Sequence, residues 1–146
     1  MKYYLKISTT IIMLLSVFFI SETYSQNTEK AIKHRIVIQF SSGDTLAQKG
    51  LRNNIRNLTT AMPDAEIEVV CHGPGVNFLR TNTTNFASDI ENYRQKGVVF
   101  AVCENTLKER KIDKSEILPN MIFVPNGLVE IISKQEKSWS YIKAGF

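Results

Sequence analysis

Four short runs of β-branched and other apolar residues recur along this chain, each followed by a segment whose apolar residues return at helical spacing. The runs are Ile36 to Phe40, Ile67 to Cys71, Val98 to Val102 and Met121 to Val124. A strand that is apolar along its whole length, without the alternation of a half-wetted one, is a strand buried on both faces. Such strands need a layer of helices on each side, and parallel neighbours need the long crossover connections that those helices supply. The pattern therefore predicts an α/β three-layer sandwich around a mostly parallel sheet of four strands, or five if Trp139 to Ile142 pairs at an edge. Right-handed crossovers leave few topologies, and a flavodoxin-like order of 2-1-3-4 is the expectation.

The intervening segments carry helix punctuation. Thr45 and Gln48 have the spacing of a capping box, and Leu51, Ile55, Leu58 and Met62 share one face before Pro63 ends the helix. Val76 and Leu79 predict a short helix after His72-Gly73-Pro74-Gly75. Phe86, Ile90 and Tyr93 predict another that stops at Gly97. Asn105 to Arg110 reads as a short helix, Asp113 and Glu116 cap a further turn, and Asn126-Gly127 opens a last helix with Leu128, Ile131, Ile132 and Gln135 on one side.

The first 25 residues follow another grammar. Lys2 and Lys6 precede an apolar run from Ile7 to Ile20, and Thr23 and Ser25 are the small residues that signal peptidase requires. The run is short for a bilayer span and Glu22 follows it directly. Residues 1–25 are therefore expected to be a signal peptide cleaved before Gln26, with 26–33 a polar lead-in and 34–146 a single domain. The product is expected to be exported, most simply to a bacterial periplasm, and free of the membrane. Two cysteines and two histidines in 146 residues support neither a disulfide framework nor a four-ligand zinc site, so no metal is expected. A net charge of +4, carried by scattered basic residues, gives no nucleic-acid stripe.

In an open parallel sheet the loops beyond the carboxyl ends of the strands form the site, here expected between the first and third strands. Those loops hold Ser41, Asp44, Cys103, Asn105 and Asn126. Cys103 is the strongest nucleophile among them and stands just before a helix, which favours a thiolate; a small buried hydrophobe at a strand end is the other reading. Cys71 reads as core. In the order 2-1-3-4 the first strand would separate the two cysteines by about two spacings of 4.8 Å, too far for a disulfide. His72 reads either as a proton carrier or ligand, or as a residue bonding its own loop. Gly73 and Gly75 read as backbone requirements, because the dinucleotide and Walker spacings are missing.

The strand with His72-Gly73-Pro74-Gly75, the run Gly97 to Leu107 containing Cys103-Glu104-Asn105-Thr106, and Val124-Pro125-Asn126-Gly127 followed by Trp139-Ser140-Tyr141-Ile142 together resemble the DsrE/DsrF-like family, over His34 to Phe146. The resemblance implies a parallel α/β sandwich that assembles as homotrimers or homohexamers. For Cys103 it implies the position at which sulfur-relay members receive a persulfide from a donor protein and pass it to an acceptor, without a metal or organic cofactor. The alternative is a non-catalytic module whose pocket of Ser41, Asp44, Cys103, Asn105 and Asn126 holds a small ligand or a partner peptide.

Overall fold

The computed structural model describes residues 33–145; the expected signal peptide, nearly all of the lead-in and the terminal Phe146 lie outside the described residues. The elements run β1 (Arg35–Phe40), α1 (Thr45–Ala61), β2 (Glu66–Cys71), a 3-10 segment (Gly73–Leu79), α2 (Ala87–Gln95), β3 (Val99–Cys103), α3 (Glu104–Arg110), a 3-10 turn (Lys114–Glu116), β4 (Ile122–Val124), α4 (Gly127–Glu136) and β5 (Ser140–Ala144). All five strands are parallel, in the order β4-β3-β2-β1-β5.

The α/β sandwich and its parallel sheet are as expected, but the flavodoxin-like order is not. β1 pairs with β2 and not with β3, and β5 takes the place beside β1. The steps from β1 to β4 all move in one direction, so right-handed crossovers lay α1, α2 and α3 on one face. The step from β4 to β5 returns across the sheet and, with the same hand, lays α4 on the other.

Packing follows this division. Leu51 and Ile55 of α1, Ile90 and Tyr93 of α2 and Leu107 of α3 join Ile36, Ile38, Phe40, Val69, Cys71, Phe100 and Val102 in the main core. On the opposite face Ile131 of α4 meets only Val37, Val70, Ala101 and Val124, with Trp139 beside them. The strands still read as continuous apolar runs, because alternate residues serve the two cores.

The helices depart from expectation at two points, one in capping and one in burial. Asp44, not Thr45, caps α1, its carboxylate accepting from the Ala47 amide at 2.9 Å. On α4 only Gly127 and Ile131 are buried; the expected inner face fails at Leu128 and Ile132, which are exposed together with Val129. Gly97 ends α2 at φ +90° as expected, and the Asp113–Glu116 capping box is present.

Candidate functional site

Reversal of the strand order falls between β1 and β5, so the expected crevice between the first and third strands does not form; β2 lies between them. The expected site residues are thereby divided. Ser41 and Asp44 follow β1. At the actual reversal an open cavity of about 290 Å³ is lined by Asp44, Leu46, Ala47, Gly50 and Gly145, and the carboxylate of Asp44 is already engaged in capping α1. Another cavity, of about 310 Å³ along Ala87, Ile90 and Met121, opens beside residues of the main core, on the face away from Cys103.

Cys103, His72, Asn105 and Asn126 come together instead. Cys103 is the last residue of β3 and the N-cap of α3. His72 follows the last residue of β2, which pairs with β3 in a register that sets Cys71 beside Val102. A Cβ placed on Gly127 would stand 3.2 Å from the Cβ of His72 and 3.3 Å from that of Cys103, so the first turn of α4 closes directly over both. The Asn105 amide donates to the Pro125 carbonyl at 3.2 Å, joining the start of α3 to the approach of α4. Asn126 spends its side-chain oxygen on the Leu128 and Val129 amides, and Asn105 donates to Glu109. Cys103 is thus set at the beginnings of two helices and is only 4% exposed.

Cys71 is the neighbour that the expected order had placed two strands away. The pair is nevertheless unbridged, because adjacent positions on a strand point to opposite faces. Cys71 belongs to the main core and is fully buried, and desolvation alone pushes its thiol far above the ordinary range.

His72 does not hydrogen-bond its own loop through its ring. Its Nε2 lies 2.8 Å from Nε2 of Gln39, whose Oε1 accepts from the Tyr141 hydroxyl. An amide nitrogen only donates, so His72 Nε2 is the acceptor and the ring proton sits on Nδ1. Burial holds the imidazole below its ordinary pKa and hence neutral at pH 7. The Gly73 amide donates to Thr106 Oγ1 at 2.9 Å, fixing the loop after β2 against α3. The row Cys103, His72, Gln39, Tyr141 therefore crosses β3, β2, β1 and β5 on the α4 face. The sequence does not mark Gln39 or Tyr141 as site residues; the sign available is that Gln39 is the one polar residue within its apolar run.

Glu68 is a second unforeseen feature of this face. It sits mid-strand at 2% exposure, its Oε2 2.5 Å from Nζ of Lys134 on α4, and its Oε1 has no partner. Burial raises its pKa, and Lys134 opposes that rise. Among the described residues there is no cluster of three or more His, Cys, Asp or Glu able to hold a metal, and no helix is long and apolar enough to cross a membrane.

A family model described as the DsrE/DsrF-like family matches residues 34–144. Among solved structures, the chain is similar to the protein of unknown function MTH1491 from Methanobacterium thermoautotrophicum, at 31% identity and a TM-score of 0.73 over 76% of this chain and 99% of that one. It shares its fold with BT1422 from Bacteroides thetaiotaomicron, also of unknown function, at 12% identity and a TM-score of 0.61 over 75% and 93% of the two chains. The same holds for the ychN protein from E. coli, at 13% identity and a TM-score of 0.59 over 77% and 99%. No curated protein matches.

Proposed function

Because this chain belongs to the DsrE/DsrF-like family and, of the two cysteines that end strands, carries Cys103 outside the main core on the α4 face, we propose that it is a sulfur carrier whose acceptor is Cys103. The observation behind this reading is the contrast between the two cysteines. Cys71 is sealed in the core with its thiolate strongly disfavoured, whereas Cys103 stands at the sheet edge under a single helical turn, beside a neutral histidine.

The step balances without an outside oxidant. The Cys103 thiolate attacks the terminal sulfur of a donor persulfide and forms a new S–S bond; the donor's own S–S bond breaks, and its inner sulfur leaves with the electron pair as a thiolate. Repeating the exchange with an acceptor thiol returns Cys103 to its starting state. His72, with its lone pair held by Gln39, offers an Nδ1 proton to this neighbourhood and serves as a hydrogen-bond donor, not a base. No metal or organic cofactor takes part.

The test is intact mass after incubation with a persulfide donor. One added sulfur, lost on reduction, is expected in the wild type and in Cys71→Ser, and none in Cys103→Ser. Sulfur uptake that survives Cys103→Ser would show that Cys103 is not the acceptor, and a wild type that takes up no sulfur would reject the carrier in favour of the binding module.

The same proposal includes a homo-oligomer, a trimer or a pair of trimers. Leu128, Val129 and Ile132 on α4, with Val99 and Ile122 on the sheet face beside it, leave apolar surface that a lone chain exposes. Light scattering that returns only a monomer mass would remove this part. Export is proposed from residues 1–25, and N-terminal sequencing of the exported product is expected to begin at Gln26.

A further inference from the structure

Within one chain the first turn of α4 closes over Cys103, and that helix is weakly seated. Among the described residues α4 alone covers its face of the sheet, and it buries only Gly127 and Ile131 there. Its remaining anchor is Lys134. The Nζ of that residue meets Glu68 Oε2 at 2.5 Å, lies 3.5 Å from Glu130 and stands 4.4 Å from the centroid of the Trp139 ring. A buried ion pair gives little net stabilisation, because its attraction is offset by the hydration both ions lose. Here the loss is incompletely repaid: Glu68 Oε1 is buried without any partner beneath the Lys134 side chain.

We propose that α4 is a detachable cover over Cys103 and His72, with Lys134–Glu68 as its catch, and that it opens while the main core stays folded. Opening separates Gly127 from Cys103 and rehydrates both members of the pair. α1, α2 and α3, which bury Cys71 on the far face, need not move. The use of the opening, admission of a sulfur donor, rests on the carrier reading; the opening itself does not.

Alkylation of the full chain under native conditions, followed by mass at each cysteine, tests the cover apart from sulfur chemistry. In the wild type Cys103 is expected to react well below the rate of a free thiol and well above that of Cys71. Lys134→Met releases the catch and is expected to speed Cys103 alkylation by about tenfold or more while leaving the ratio of Cys71 rate to global unfolding rate unchanged. The double variant Glu68→Met/Lys134→Met replaces the pair with apolar groups of similar length, and is expected to seat α4 more firmly and slow Cys103 below the wild type. The proposal is overturned if Cys103 reacts like a free thiol in the wild type, if both cysteines accelerate in parallel in Lys134→Met, or if the double variant labels Cys103 as fast as the wild type. Should Lys134→Met fail to fold, the double variant decides alone. Alkylation that behaves as expected in a protein that never takes up sulfur would refute the carrier and leave the cover standing.

Discussion

Replacing Gly75 by alanine is expected to be among the most damaging single-methyl changes available in this chain. Gly75 lies in the 3-10 segment after β2, at the point where the loop carrying His72 crosses the end of β1. A Cβ there would stand 2.4 Å from the Phe40 carbonyl oxygen, 2.8 Å from the Phe40 carbonyl carbon and 2.9 Å from the Ser41 Cα. Ordinary C···O approaches begin near about 3.3 Å, so loop and strand must part by about an ångström. Every atom in the way is backbone at the end of an interior strand, and no side-chain rotamer can give way. Overpacking against side chains costs about 1–3 kcal/mol; here about 3 kcal/mol or more is expected, a fall in Tm of about 10 °C or more. Gly50→Ala is the control, since Gly50 lies in the middle of α1 with nothing within 4 Å of its added methyl. Both substitutions restrict the unfolded chain alike, but Gly50→Ala is expected to stabilise by about 0.5–1 kcal/mol. Urea denaturation of the three proteins, at a constant m-value, reads both. A Gly75→Ala midpoint equal to that of the wild type, with Gly50→Ala behaving as expected, would refute the steric reasoning.

Three further outcomes are expected. His72 has its pKa lowered by burial, so the folded chain holds its proton less readily than the unfolded one; its contribution to stability is complete above about pH 6.5 and is lost as pH falls through the depressed value. His72→Gln should flatten the stability profile in that window, and an unchanged slope in a urea series from pH 7 to 5 would contradict this. Cys71→Ser places a hydroxyl in an apolar core and should cost about 1–3 kcal/mol by the same denaturation assay, where a neutral result would mean that the hydroxyl finds a partner. Asn126→Ala removes the acceptor for two amides of α4 and should cost about 1 kcal/mol; a midpoint unchanged from the wild type would show that water replaces the cap.

The elements were legible because their signals are local. β-branched runs, the Asp113–Glu116 box and Gly97 each act within a few residues. Strand order was not legible, since nothing in Ile36 to Phe40 says whether Val69 or Phe100 will lie alongside; that follows from the return of α4 across the sheet, which places β5 beside β1. The exposure of Leu128 and Ile132 has the same origin, because helical periodicity reveals an apolar face but not whether this chain covers it. At the site, Cys103 could be singled out from its position at a strand end. Gln39 and Tyr141, joined across 102 positions of sequence, could not. Glu68 was hidden for another reason: its strand reads as core, and a carboxylate there makes sense only once Lys134 is seen above it.

The seating of β5 beside β1 also sets the order in which the chain can acquire its structure. β1, β2, β3 and β4 each add to the previous strand, so they can assemble progressively from one end. The far edge of β1, from Ile36 to Phe40, must wait for Ser140 to Ala144. Closing that contact across roughly a hundred residues costs about 4 kcal/mol of chain entropy, less whatever the earlier strands have already ordered. Until it closes, β1 is an open edge of apolar, β-branched residues, the kind that pairs with any strand it meets. A chain interrupted before Ser140 therefore has nearly every element of the fold and yet is the form most prone to aggregate.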